Sequence, residues 1–388
     1  MKFHFSSVVA IGMLLAACGG GAAPASTAPA GSPATSAAAP ASNPAGSAGG
    51  ATSNAPGAKP AASGGAASTS NDSLAAVKAE AQKAGGKVLW YDSIQQDQGD
   101  QITKQFVADY PFMTGAKFLS VVSGDRFARI TQESSAHGPT ADVDFEDAAS
   151  ASAFYNKGFL NTVDWQALGV KTSPEMTPTN YLVAITAPYY VFFYNTNKVK
   201  AADVPKTMDG LLDPKWKGRI GTWARPSGLE DFVTVWGEQQ TIDYVKKLAA
   251  QKPHLYDSNF TVAQNVGSGI DDIAFTTFHT SIPTTQKGAP AKAATVNPTP
   301  LNVLYGYSLK YGANPAGGKL LLQWLSGAHG AQVYEQVSGR GNPYVPETKT
   351  AQMLKGMKLA TFSVAQQVKD SAHLTQLQGQ LTKLLKGQ

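Results

Sequence analysis

Residues Tyr189 to Gly228 read YYVFFYNTNKVKAADVPKTMDGLLDPKWKGRIGTWARPSG. The aromatic and β-branched run Tyr189–Tyr194 predicts a strand. Asn195-Thr196-Asn197 supplies the turn that closes it. A short helix is expected after Pro205-Lys206-Thr207, with Thr207 as N-cap and Asp209 in its first turn. Asp213-Pro214 ends that helix, because a residue before proline is pushed out of the α region. Gly218-Arg219-Ile220-Gly221 leads into a second strand, and Pro226-Ser227-Gly228 opens onto a further helix. Strand and helix alternate here as in an α/β fold.

This order of strand, N-T-x-x-V, V-P-x-T-x-x-x-L-x-D-P-x-W-K-G, strand, loop and helix resembles the solute-binding proteins of ABC importers. It is closest to the ferric-iron and related-anion binders of the type II periplasmic-binding-protein fold. The resemblance extends over roughly Gly86 to Glu347. It implies two α/β lobes joined by a β-strand hinge, with the ligand held between them and handed to a membrane permease.

The chain begins MKFHFSSVVAIGMLLAAC, with one Lys ahead of a short apolar run that ends in Leu-Ala-Ala-Cys. That pattern predicts a signal peptide over Met1–Ala17. The ending resembles the lipobox of bacterial lipoproteins, which implies lipid attachment at Cys18 and an extracytoplasmic, membrane-anchored protein. Cys18 is the single cysteine of 388 residues, so no disulfide framework forms within one chain. Residues 18–71 are Ala, Gly, Ser and Pro almost throughout and carry one charged residue, Lys59. Such a segment buries too little apolar surface to order itself and reads as a disordered tether. The folded part is expected from residue 72 to 388, long enough for two lobes. Lobe 1 would take about 72–185 and 298–388, and lobe 2 about 186–297.

Removal of Met1–Ala17 lowers the formal charge from +5 to +4. The excess is mild and no Lys/Arg block interleaves with aromatics, which argues against nucleic acid. No G-x-S-x-G, H-E-x-x-H, Walker A or G-x-G-x-x-G occurs, so the sequence reads as a binding protein rather than an enzyme. No cofactor is expected, and the protein is expected to be monomeric.

Candidate ligand residues cluster where strands run into helices, because free N–H groups at a helix start attract anions. The first such junction follows Lys87–Tyr91. Ser93 there matches the serine of the family's strand-end Y-T-S motif, with Asp92 in place of its threonine. Asp92 is expected to turn away, to bond a substrate hydroxyl or to pair with an arginine. The second is Ser123-Gly124, resembling the family's G-S-G-E-L-L-A-R-I segment; Arg126 beside them is expected to face water. The third is Thr222 to Gly228, where Thr222, Arg225 and Ser227 stand together and Arg225 offers a bidentate fork to an anion. At the hinge, Thr186-Ala187-Pro188, alternation allows only one of Tyr189 and Tyr190 to face the cleft. Asp144, Glu146 and Asp147 follow the A-D-V strand and either bind a cation or cap the helix that begins at Ala148.

Iron-binding members of the family carry two adjacent tyrosines after the strand that matches Ile273–Phe275. Here that neighbourhood reads T-T-F-H-T-S, without tyrosine. Thr276, Thr277 and His279 instead suit neutral hydrogen bonding to an organic ligand. Tyr305 and Tyr307 alternate onto one face, and Tyr305 is a candidate stacking residue. The expected cargo is thus a small organic anion or oxoanion. The alternatives are Fe(III), a thiamine-type cation, or use of the same closure in sensing.

Overall fold

A computed structural model of the protein describes residues 72–388. The expectations for residues 1–71, including the signal peptide, Cys18 and the tether, lie outside the described residues. Twelve strands are present among those described: β1 (Lys87–Asp92), β2 (Gly115–Ser120), β3 (Val143–Glu146), β4 (Val183–Thr186), β5 (Tyr190–Asn195) and β6 (Ile220–Trp223), then β7 (His254–Tyr256), β8 (Ile273–Thr277), β9 (Ala291–Thr295), β10 (Thr299–Pro300), β11 (Leu304–Ser308) and β12 (Leu359–Ala360).

They form two five-stranded mixed sheets, in the orders β2-β1-β3-β11-β4 and β7-β6-β8-β5-β9. In the first, β1 runs parallel to β2 and β3, while β11 lies antiparallel between β3 and β4. In the second, β6 runs parallel to β7 and β8, and β5 lies antiparallel between β8 and β9. Each sheet has its own apolar core. Trp90, Phe106, Phe145, Phe154 and Leu321 are fully buried in the first, and Phe192, Phe232, Phe275 and Val245 in the second. Strands β3, β4 and β5 are buried along their whole length; β4 and β5 read as nearly continuous apolar runs, whereas β3 alternates Val143 and Phe145 with the buried acids Asp144 and Glu146.

The chain crosses between the sheets from β4 to β5 and returns through β9 to β11. The short parallel pair β10–β12 and a bridge from Tyr189 to Leu301 lie beside these crossings. The C-terminal helices touch both halves. Gln367 accepts from the Ala148 amide at the start of a first-sheet helix (3.1 Å), and Gln378 donates to Glu230 beside the second sheet (3.0 Å). Leu377, Leu381 and Leu385, one face of the helix Ser371–Leu385, are buried in the second core.

The quoted stretch folds largely as its punctuation dictates. Tyr190–Asn195 is a strand and Ile220–Trp223 the next. The segment after Thr207 is a 3-10 helix, Met208–Leu212, and Thr207 makes no side-chain cap. The helix expected after Ser227-Gly228 is only a 3-10 turn, Glu230–Phe232, followed by the single α-turn Val233–Trp236. Among the described residues, no helix is long and apolar enough to cross a membrane.

Candidate functional site

A cleft of about 970 Å³ lies between the two sheets' end loops. One wall comes from the first half: Ser93–Gln98, the helix Ala328–Ser338 and the Gly339-Arg340 turn behind it. The other comes from the second half: Tyr189, Phe260 and the start of the helix Phe278–Gln286. Gly339 sets how closely the walls meet. It ends its helix at φ +74°, and a Cβ there would stand 2.6 Å from Ile282 Cδ1 and 3.2 Å from His279 Cβ.

Two helix starts face this space from opposite sides. The helix Gln96–Asp109 begins among the cleft residues Gln95, Asp97 and Gln98, and its Gln95–Gln98 capping box leaves the remaining first-turn amides without a capping side chain. The helix Phe278–Gln286 carries His279 in its first turn and has no side-chain cap. Asp97 already places a carboxylate in the first turn of the former, whereas the latter has no acidic first-turn residue and favours negative charge in the cleft.

Arg340 lies between them, its side chain 12% exposed. Its Nη1 donates to Ser93 Oγ at 3.2 Å and stands 3.9 Å from Asp92 Oδ1, while its Nε is buried without a protein partner. His279 Nδ1 is likewise buried and unpartnered. Burial, with Arg340 nearby, pushes the imidazole well below its ordinary pKa, so His279 is neutral at physiological pH. Tyr189 stacks on Phe278 at 5.1 Å and donates its hydroxyl to Met353 S at 2.9 Å. Burial raises its phenol far above the usual range.

Behind Ser93, Arg126 contradicts the expectation that it faces water. It is 1% exposed, its Nε 2.8 Å from Asp144 Oδ1 and its Nη2 2.6 Å from Glu146 Oε1, with Asp92 at 4.0 Å. Tyr307 donates to Asp144 Oδ2 at 2.5 Å, and Tyr334 donates to Asp92. Three carboxylates thus hold Arg126 inside the first half, and Asp92 pairs with arginine, the third of its expected options. Burial outweighs Arg126 at Asp144 and raises its carboxyl to about 6.

Ser93, Tyr189 and His279 come together in the cleft; Thr222, Arg225, Ser227, Thr277 and Tyr305 do not line it. Ser123 and Gly124 open the helix Ser123–Ser135. Thr222 is buried and donates to the Phe275 carbonyl at 3.3 Å. Arg225 is exposed, its guanidinium over the Trp223 ring at 5.3 Å. Ser227 hydrogen-bonds the Tyr190 hydroxyl, and Tyr190 lies in the second core against Phe275, so alternation does separate the two tyrosines. Thr277 is buried with its hydroxyl 3.2 Å from Thr280 Oγ1. Tyr305 is buried on β11 outside the cleft lining. The anion nest expected around Arg225 is absent for a local reason. The turn there is short, and Glu230 and Asp231 occupy its first positions, where negative charge is already supplied. Asp147 caps the helix Ala148–Asn156, accepting from the Ser150 amide at 2.9 Å. Arg340 lines the cleft and was not among the sequence-derived candidates; its signal was the Gly339-Arg340 pair after a helix, which resembles the family's own.

Comparison with known proteins agrees with this architecture. A family model described as bacterial extracellular solute-binding protein matches residues 140–269. An uncharacterized protein of Haemophilus influenzae is 25% identical over 269 residues, covering 64% of this chain and 75% of its own. The major ferric iron-binding protein of Neisseria gonorrhoeae is 27% identical over 297 residues, covering 70% and 87%. Among solved structures, iron-bound HitA from Pseudomonas aeruginosa superposes with a TM-score of 0.61 at 20% identity, covering 76% of this chain and 99% of that one. AfuA from Actinobacillus pleuropneumoniae, with fructose-6-phosphate bound, gives 0.64 at 20% identity, covering 77% and 98%. The fold is that of type II periplasmic binding proteins, and the resemblance to extracellular solute-binding proteins holds in sequence and in fold.

Proposed function

We propose that the protein captures a small organic anion in the cleft at Arg340 and delivers it to a membrane permease. The observation that supports this most is the convergence, within one cavity of about 970 Å³, of the uncapped start of the helix Phe278–Gln286, a guanidinium with an unpartnered Nε and a neutral imidazole. Ser93 holds the guanidinium by accepting from Arg340 Nη1, and its own hydroxyl donates to Asp92 Oδ1 at 3.3 Å. Arg340, rather than Arg225, takes the anionic group. The cavity is much larger than a bare oxoanion requires, so the anion carries an organic body.

Fe(III) is the second reading, supported by the printed names of the Neisseria and Pseudomonas proteins. The donors here suit it poorly. Tyr189 is the cleft's tyrosine, its phenol is held protonated by burial, and Phe278-His279 follow Thr277 where adjacent tyrosines would be needed. The Glu335 carboxylate is already taken by the Lys349 and Thr350 amides and the Thr350 hydroxyl, at 2.6 to 2.7 Å. Among the described residues, no group of three His, Cys, Asp or Glu stands together to hold a metal ion.

We propose further that Cys18, in Leu-Ala-Ala-Cys, anchors the protein by a lipid to the outer face of the cell membrane; metabolic labelling with a palmitate analogue, lost in Cys18→Ala, tests this. The cargo is tested by thermal-shift screening of the full-length chain against carboxylates, phosphonates, sugar phosphates, thiamine and ferric citrate. A midpoint rise with an organic anion that disappears in Arg340→Gln is expected. A rise with ferric citrate alone, with a coloured phenolate band, overturns it.

A further inference from the structure

The cleft has two chemical characters. Its charged lining is mixed in sign, Arg340, Lys287 and Lys349 against Asp97, Glu335 and Glu347, and Arg340 meets Ser93 at one corner. Its remaining polar groups on the first wall are largely engaged within that wall. Gln98 Nε2 donates to the Val337 carbonyl (3.0 Å), Gln332 Nε2 to the Glu347 carbonyl (2.9 Å), and Glu335 accepts from three donors. The opposite wall is apolar and partly aromatic: Tyr189 stacked on Phe278, Phe260 edge-on to His279 at 5.9 Å, then Ile282 and Pro283. Phe260 is 37% exposed and Met353, which faces it from the first half, 41%. Both are among the few large apolar side chains left open to solvent in the described structure, and both border this cavity. Leaving such surface wet is unfavourable, and a ligand's apolar body covers it.

The charge balance narrows the head group. Asp92 stands 3.9 Å from the Arg340 guanidinium and shares its field, and the neighbouring imidazole is uncharged. Three cationic and three anionic side chains line the cleft, and a lining without net formal charge matches a single negative charge better than a dianion.

We propose that the cargo is an aromatic monocarboxylate: its carboxylate on Arg340 and the start of the helix Phe278–Gln286, its ring against Phe278 and Phe260. This rests on the anion reading above and narrows it. A sugar phosphate presents two charges and many hydroxyls, which a lining without net formal charge and with an aromatic wall meets less well. A flat ring between aromatic side chains gains stacking as well as burial.

The test is isothermal titration of the full-length chain with benzoate, 4-hydroxybenzoate, phenylacetate, hexanoate, fructose 6-phosphate, inorganic phosphate and ferric citrate. At least one aromatic carboxylate is expected to bind ten-fold or more tightly than hexanoate and either phosphate. Arg340→Gln is expected to weaken it a hundred-fold, and Phe260→Ser, a change at an exposed position that leaves the fold intact, about ten-fold. Melting curves confirm that both variants fold. Hexanoate or fructose 6-phosphate binding as well or better, and lost in Arg340→Gln, overturns the aromatic body while leaving the anion reading intact. Ferric citrate binding alone overturns both. No binding by any aromatic carboxylate, with the unliganded protein folded, also overturns the proposal.

Discussion

Arg340 Nη1 and Ser93 Oγ are 3.2 Å apart, though 247 positions separate them in the chain. The bond pins the guanidinium beside the start of the helix Gln96–Asp109. Arg225 lies exposed over Trp223 instead. Arg340→Gln is therefore expected to abolish the ligand-induced rise in melting temperature, whereas Arg225→Ala leaves it within experimental error. Ser93→Ala releases the guanidinium and is expected to weaken binding by about ten-fold, on the order of 1.4 kcal/mol. Parallel titrations of the three variants check this; equal losses in the Arg225 and Arg340 variants would contradict it.

Gly339 is the place where the two walls nearly touch. Alanine there meets two obstacles at once: a φ of +74°, and Ile282 Cδ1 at 2.6 Å from the new Cβ. The backbone strain costs about 1–2 kcal/mol, and the steric contact pushes the walls apart. Gly339→Ala is expected to lower ligand affinity by about ten-fold or more, and more than its modest loss in unliganded stability. Titration and melting of the same preparation separate the two effects.

The fold was legible because β1, β3, β5, β6 and β8 announce themselves as apolar runs closed by turn residues, and the long-range pairing follows from the family order around Val199 to Gly218. Ser93, Tyr189 and His279 were legible in the same way, as residues at strand ends or helix starts. Arg225 misled because a guanidinium after a strand looks like an anion site until the next turn is measured. Glu230 and Asp231, two residues past the quoted stretch, give that turn the wrong sign. Arg126 misled in the opposite direction. Its burial depends on Asp92, Asp144 and Glu146 converging from two other strands, which no local pattern records. Arg340 could be matched as a motif, but its place opposite His279 is a fact of tertiary structure alone.

The Arg126 cluster makes a second kind of prediction. Replacing the guanidinium by an apolar chain of similar length leaves Asp92, Asp144 and Glu146 buried without their cation. Arg126→Met is expected to destabilise the protein by about 3–5 kcal/mol. The deficit depends on pH. Asp144 already titrates near 6, above the ordinary 3.8, so its contribution is present at acid pH and lost as pH rises through about 6. Without Arg126 the carboxyls hold their protons more tightly still. Denaturant unfolding is therefore expected to show a larger deficit at pH 8 than at pH 5, and a deficit independent of pH would argue against this account.

Asp231 is buried and Glu230 half-buried beside it, with no basic partner among the described ion pairs. Burial lifts Glu230 from 4.5 to about 7, with Asp147 adding to the rise and the hydrogen bond from Gln378 opposing it. Burial and Glu230 together lift Asp231 well above its ordinary value. A carboxyl whose folded pKa is raised favours the folded state below its unfolded pKa and loses that contribution as pH rises through its folded one. Stability is accordingly expected to fall between about pH 5 and pH 8. Glu230→Gln keeps an oxygen to accept from Gln378 and removes the ionisation. It is expected to change little at pH 5 and to raise the unfolding free energy by about 1–3 kcal/mol at pH 8. A melting temperature that falls equally at both pH values in this variant would show that Glu230 is charged and well solvated in the folded protein.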